Sequence, residues 1–173
     1  MPGYVIHLAV AEEYLKKHKN VKENYDEFIE GVIYPDSVTD KSLTHYGKSS
    51  SQANLYNFLK EHELKDSFTR GYFLHLLTDY LFYNKYIEFF STDMYNDYDI
   101  LNRKLIEKYN VKLPEKIKQY VFFKENLELK ILSYPLVEKI INDISDMGLD
   151  DVSKKVKEDP STWTKIRPLK KLE

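Results

Sequence analysis

The chain has 173 residues, enough for one domain with a sizeable core, and 42% of them are hydrophobic. Its 26 Lys+Arg and 28 Asp+Glu give a net charge of −2, which disfavours a protein that binds nucleic acid by broad phosphate neutralisation. Because the chain has no Cys, any metal site must use His and carboxylate ligands. Five Gly and six Pro are few for a turn-rich β protein, so we expect an all-α fold, a single compact multi-helix bundle over residues 1–173.

The chain carries no targeting or membrane signal that we recognise. Its amino-terminal residues lack the basic region and long apolar stretch of a signal peptide. No run reaches the roughly 20 apolar residues that a transmembrane helix needs. We therefore expect a cytoplasmic protein without a transmembrane segment.

The first 50 residues predict two helices followed by a long polar loop. Apolar residues recur at helical spacing over 4–18. Asn24 is an N-cap candidate for a second helix, which should end near Tyr34 because Pro35 disfavours the helical conformation in the residue before it. Residues 35–50 are rich in Ser, Thr and Asp, and a loop of that length is often functional.

The strongest helical signal follows this loop. The Ser49–Ser51 run predicts the start of a helix that continues to about His62. Residues 66–90 are apolar almost all round, which is typical of a helix in the middle of a bundle. Shorter helices are predicted further on, before an extended end: 98–110, 114–123, 125–147 with an interruption at Pro135, and 149–157 after a C-cap at Gly148.

His75 and Asp79 are the first candidate site residues. They are four positions apart on the predicted central helix, so their side chains share one face. An imidazole and a carboxylate at that spacing can bind one divalent ion. Because the flanking residues are almost all apolar, a buried carboxylate there needs a cation or hydrogen bonds to compensate it. A core histidine bonded to the aspartate is the simpler alternative for this pair alone.

The remaining histidines are ambiguous when each is considered by itself. His7 lies on the apolar face of the first helix and would usually be a hydrogen-bonded core residue. Asp36 follows Pro35 as an ordinary turn residue does, and His45 lies in the polar loop, where it could be solvent-exposed. We expect His18 and His62 to be surface residues.

Four segments taken in order carry a resemblance to a known family. They are the early histidine His7, then Gly31-Val32-Ile33-Tyr34-Pro35-Asp36-Ser37, then Thr44-His45-Tyr46, and finally Gly71-Tyr72-Phe73-Leu74-His75-Leu76-Leu77-Thr78-Asp79. In order and approximate spacing, residues 1–90 resemble the zinc-dependent phospholipase C family, which is related to the secreted zinc nucleases that cut single strands.

The resemblance implies a ligand set and a fold. Asp36, His45, His75 and Asp79 would bind a first zinc, and Asp79 would bridge to a second zinc held by His7. The fold would be a helical bundle of the phospholipase C and zinc nuclease type. The activity would be hydrolysis of a phosphodiester or phosphomonoester, or of a phospholipid at its headgroup, by water that the metal activates. Asp36 would be a ligand or the general base, and Asp79 the bridge.

Two departures from the family pattern limit the number of metals. The secreted members build a third site from later His and Glu residues, but this chain has no His after His75. They also use the free amino group and carbonyl of a processed N-terminus; in this chain, removal of Met1 would leave a Pro2 amine that could take that part. We expect one or two ions, and three His with two Asp suit Zn²⁺, with Mn²⁺ or Fe²⁺ also acceptable.

Two alternatives to a phospholipase C-like enzyme stay open from the sequence. An HD-type phosphohydrolase is also helical and uses His and Asp ligands, but it normally needs an adjacent His-Asp pair, which this chain lacks. A non-enzymatic helical domain could keep the metal for structure or bind a partner. A structural zinc site is typically closed by four ligands, whereas a catalytic one keeps a position for water.

Overall fold

The computed structural model describes residues 3–171, and these are mostly helical, as the composition predicts. The helices are α1 (Tyr4–Lys17), α2 (Tyr25–Ile33), α3 (Leu55–Glu61), α4 (Ser67–Leu81), α5 (Asp93–Tyr109), α6 (Tyr134–Ser145), α7 (Leu149–Glu158) and α8 (Pro160–Trp163). Two short strands, β1 (Phe89–Phe90) and β2 (Lys170–Lys171), pair in parallel. Within residues 3–171, no helix combines the length and apolar character needed to cross a membrane.

Helix α4 is the central helix of the bundle, as its apolar sequence predicts. Every residue from Arg70 to Tyr83 is buried, so no side of the helix faces water over that stretch. His75 and Asp79 lie in the middle of it and are fully buried. Helices α1, α2, α3 and α7 contact α4, so the two polar side chains are covered from several directions.

Helices α2 and α4 approach each other through two glycines. A Cβ atom at Gly31 would lie 2.0 Å from the carbonyl oxygen of Phe68, and a Cβ at Gly71 would lie 2.0 Å from that of Phe28. Only glycine therefore permits this approach. The contact places the end of α2, which leads into Asp36, beside the middle of α4.

The amino-terminal predictions are confirmed apart from local detail. Asn24 caps α2, because its side chain accepts a hydrogen bond from the Glu27 amide. The polar loop after α2 contains short 3₁₀ turns at Tyr34–Asp36, Lys41–Leu43 and Ser50–Gln52. The prediction that a helix begins at Ser49–Ser51 is wrong, since α3 begins only at Leu55, where Asn54 accepts from the Asn57 amide.

The predicted length of the central helix is also wrong. Helix α4 ends at Leu81, and a π-helical turn (Phe82–Tyr86) follows it before β1. Helix α5 then begins at Asp93, five residues earlier than predicted. The predicted helix over 114–123 is instead a 3₁₀ helix, Glu115–Tyr120.

The prediction for residues 125–147 fails because tertiary contacts outweigh the local pattern. Pro135 lies in the first turn of α6, where its missing N–H is not needed, and Ser133 caps this helix. The residues before Ser133 are not helical, because Asp97 accepts hydrogen bonds from the amides of residues 130–132. Gly148 is the residue before α7 and not a C-cap of α6.

Candidate metal centre

All five predicted ligands meet at one place in the interior. His7 comes from α1, Asp36 from the turn after α2, His45 from the polar loop, and His75 with Asp79 from α4. All five are buried, and Asp36 is the most exposed of them at 8%. Residues that are far apart in the sequence thus share one buried site.

Asp79 lies at the centre of the cluster, with its two oxygens facing different histidines. Its Oδ1 is 3.0 Å from Nε2 of His7. Its Oδ2 is 2.9 Å from Nε2 of His45 and 3.2 Å from Nε2 of His75. This arrangement suits a carboxylate that contributes one oxygen to each of two neighbouring positions.

Asp36 closes the opposite side of the cluster. Its Oδ1 is 3.6 Å from Nε2 of His45, and its Oδ2 is 3.7 Å from Nε2 of His75. The ligand atoms form two groups that could each hold a metal ion, with all atoms of a group within 4.8 Å of one another. One group is His7, His75 and Asp79, and the other is Asp36, His45 and His75.

The short distances within the cluster are not aligned hydrogen bonds. Both oxygens of Asp36 and Asp79, both ring nitrogens of His7, and Nε2 of His45 and His75 are buried without a hydrogen-bond partner. Buried polar groups without partners are costly and rare. A divalent cation would satisfy all of these atoms except one nitrogen of His7, so the residues present fit a metal ion.

Hydrogen bonds to the backbone orient two of the imidazoles. Nδ1 of His75 lies 2.6 Å from the carbonyl oxygen of Val32, and Nδ1 of His45 lies 3.1 Å from that of Lys41. Since a carbonyl can only accept, each Nδ1 carries a proton, which leaves Nε2 as the ring nitrogen available to a metal ion. Such contacts to the outer ring nitrogen are usual for metal-binding histidines.

Thr44 supports His45 from the neighbouring position. Its hydroxyl donates to the carbonyl oxygen of Pro35 at 2.8 Å and lies 3.0 Å from Nδ1 of His45. Tyr72 in turn donates to the Thr44 carbonyl oxygen at 2.6 Å. The loop segment that contains His45 is therefore fixed to the Pro35 turn and to α4.

Burial and neighbouring charges shift the pKa values of Asp79, His7 and His75 in different directions. Burial alone would raise the pKa of Asp79, but the imidazoles of His75 and His7 hold it well below its usual value. Burial lowers the pKa of His7, and the adjacent His75 ring, stacked on it at a centroid distance of 3.7 Å, lowers it further. Burial also opposes protonation of His75, but Asp79 and Asp36 outweigh it and raise its pKa. Asp79 is thus ionised and His7 is neutral.

A cleft of about 700 Å³ reaches the cluster at Asp36. Of the five cluster residues, Asp36 lines this cleft, and the others lie behind it. Tyr4, Tyr98 and Lys41 also line it, so phenols and an ammonium group are among the polar groups of its wall. Asp36 is thus the cluster residue nearest to the cleft, and its carboxylate is itself fully buried.

Some functional features were not visible in the sequence. Tyr98 is one of 15 tyrosines and no local pattern marks it, and the carbonyl of Val32 has no sequence signal at all. The prediction that His18 and His62 are surface residues is wrong. Both are half-buried, with Nε2 of His18 2.9 Å from the Ser145 carbonyl oxygen, and Nε2 of His62 2.6 Å from the Tyr46 hydroxyl. The Pro2 amine lies outside the described residues.

Comparisons with protein-family models, with curated proteins and with solved structures found no match to this chain. The resemblance of residues 1–90 to the zinc-dependent phospholipase C family therefore rests on the motifs themselves.

Proposed function

We propose that the protein is a zinc-dependent phosphoric ester hydrolase, related to the zinc-dependent phospholipase C family and sharing its type of helical bundle. One observation carries this proposal: three imidazoles and two carboxylates converge in the interior without hydrogen bonds among themselves. One of the five, Asp36, also lines a cleft that opens to the surface, which favours an enzyme over a closed structural site.

The donor set suits zinc and its chemistry. Nitrogen and carboxylate oxygen ligands without thiolate fit Zn²⁺, and Mn²⁺ or Fe²⁺ would also be accepted. Asp36, His45, His75 and Asp79 would hold one ion, and His7 with Asp79 would hold a second. A divalent cation in such a site lowers the pKa of a coordinated water towards about 7 and polarises a phosphoryl oxygen.

The residues of the chain supply orientation and proton transfer. His45 and His75 present Nε2 because their Nδ1 protons are held by backbone carbonyls. Asp79 directs Oδ1 toward His7 and Oδ2 toward His45 and His75. Asp36 stands between the cluster and the cleft, so it is the carboxylate placed to accept a proton from the attacking water or to complete the ligand set.

Metal analysis followed by a substrate screen tests the proposal. We expect the purified protein to contain one or two equivalents of zinc by mass spectrometry and to hydrolyse bis-p-nitrophenyl phosphate, p-nitrophenyl phosphate or a nucleotide. His75→Ala should lose the metal and the activity together, whereas His62→Ala, which alters a histidine outside the cluster, should keep both.

Two results would contradict the proposal. A protein that takes up no zinc, manganese or iron would leave the cluster without its expected occupant. A protein that binds zinc stoichiometrically but hydrolyses none of these esters would instead support a non-enzymatic metal-binding domain.

A further inference from the structure

Tyr98 lines the wall of the cleft, and its hydroxyl group is buried. It lies on α5, its side chain is 6% exposed, and it lines the cleft together with Asp36. Its hydroxyl has no hydrogen-bond partner in the described structure. A tyrosine buried only for packing normally finds a partner for its hydroxyl.

The electrostatic surroundings of Tyr98 connect it to the metal cluster. Burial raises the pKa of the phenol well above its usual value, and Tyr95, Asp79 and Asp36 raise it further. The phenol remains protonated across the ordinary pH range and is available as a hydrogen-bond donor.

The two lysines that line the cleft are already engaged. Nζ of Lys41 donates to the carbonyl oxygens of Asp36 and Val38. Lys116 forms an ion pair with Glu30. Within residues 3–171, the buried side-chain atoms of the cleft lining that have no hydrogen-bond partner are the two oxygens of Asp36 and the hydroxyl of Tyr98. One of these oxygens, Oδ1 of Asp36, lies 3.7 Å from the Lys41 ammonium.

We propose that the Tyr98 hydroxyl donates a hydrogen bond to a non-bridging oxygen of the substrate's phosphoryl group. This rests on the proposed function. The phosphoryl subsite lies at the end of the cleft between Tyr98 and Asp36, with the histidine cluster behind Asp36. A phosphoryl oxygen is an anionic acceptor, so it supplies the partner that this buried donor lacks.

Tyr109 provides a matched control on the same helix. Its side chain is 2% exposed and its hydroxyl is also buried without a partner, but it does not line the cleft. Tyr98→Phe and Tyr109→Phe each remove one such oxygen and leave the ring in place. Because neither hydroxyl has a partner, both variants should melt no lower than the wild type and should keep its zinc content.

The two variants should differ only in how they bind phosphate and hydrolyse its esters. In the zinc-loaded protein we expect Tyr98→Phe to lower kcat/KM for p-nitrophenyl phosphate about 10- to 100-fold and to weaken inorganic phosphate binding, measured by calorimetry, about tenfold. Tyr109→Phe should change neither quantity. The pH profile of kcat/KM for Tyr98→Phe should keep its shape, because the phenol donates without titrating.

The outcomes separate this inference from the proposed function. A wild-type zinc protein that neither hydrolyses the ester nor binds phosphate would overturn both. An active wild type with an equally active Tyr98→Phe variant would overturn the Tyr98 assignment alone. So would equal losses in the two tyrosine variants, a fall in zinc content of Tyr98→Phe, or a displaced limb in its pH profile.

Discussion

At the residue scale, Asp79 is the centre of the cluster, because its two oxygens face different histidines. We predict that Asp79→Asn weakens zinc binding by more than about 100-fold, since even outer partners of metal ligands are worth roughly 10–100-fold. The amide keeps the shape of the side chain but loses its negative charge and one ligand oxygen. Competition with a coloured zinc chelator measures this affinity.

Asp97 is a buried carboxylate that binds backbone amides and does not face the cluster, so it serves as the control. It accepts three backbone N–H bonds from residues 130–132 and lies outside the cluster. Asp97→Asn should therefore lower the free energy of unfolding by about 2 kcal/mol while leaving zinc affinity unchanged. Equal effects of the two variants on zinc affinity would contradict the assignment of Asp79.

Acidification should weaken the stabilising effect of zinc. Asp79 and Asp36 raise the pKa of His75. In the metal-free protein, its protonated ring therefore stabilises the folded state. This stabilisation is complete below the pKa of His75 in the unfolded chain, and it is lost as the pH rises through its pKa in the folded protein. Zinc must displace that proton. We expect the zinc-induced rise in Tm to grow between about pH 5.5 and about pH 7.5. A rise in Tm that shrinks over this range would contradict this linkage.

Part of the site was predictable because its signal is local. The spacing of His75 and Asp79 on an apolar helix follows from sequence alone, as does the apolar setting that makes their charge costly. Tyr98 was not predictable, because it lines the cleft only through the packing of α5 in the folded chain, where α5 contacts α1. The Val32 carbonyl could not be foreseen either, since any residue offers the same backbone group.

At the scale of elements, the glycine contact between α2 and α4 sets the geometry of the site. We predict that Gly31→Ala or Gly71→Ala lowers the free energy of unfolding by about 3 kcal/mol, because either new Cβ meets a carbonyl oxygen that cannot move without its helix. Moving α2 also disturbs the contact of the Val32 carbonyl with His75, so zinc affinity should fall about tenfold. Urea denaturation and zinc titration measure the two effects.

Gly148 is the matched control for these substitutions. A Cβ added there would meet only the flexible carboxylate of Asp151, at 3.2 Å. Gly148→Ala should therefore cost less than about 1 kcal/mol and leave zinc affinity unchanged. If it destabilised the protein as much as Gly31→Ala does, the loss could not be ascribed to the α2–α4 contact.

The helices that the sequence predicts well are those whose boundaries are set locally. Asn24 marks the start of α2 through its own side chain, and Pro35 marks its end. The start of α6 depends instead on Asp97, more than 30 residues earlier in the chain, which captures the amides of residues 130–132. The pattern of apolar residues over 125–147 does not reveal that contact, so the predicted helix began too early.

At the scale of the whole molecule, the cluster brings unpaired buried polar atoms into the centre of the hydrophobic core. Each of α1, α2, α4 and the polar loop contributes to it, either with a ligand or by leading directly into one. The bound ion should therefore connect elements that are distant in sequence. Removing the ion should therefore lower the stability of the whole protein as well as its activity.

Chelation should consequently lower the melting temperature of the whole protein. With free zinc about 1,000-fold above its dissociation constant, zinc binding raises the free energy of unfolding by about 4 kcal/mol. For a chain of this size, that corresponds to a rise in Tm of roughly 10 °C. Calorimetry with and without chelator should show this difference in the wild type and in His62→Gln, whose histidine lies outside the cluster. His75→Gln should melt at the same temperature in both conditions. A zinc-dependent rise that persisted in His75→Gln would place the stabilising ion elsewhere in the molecule.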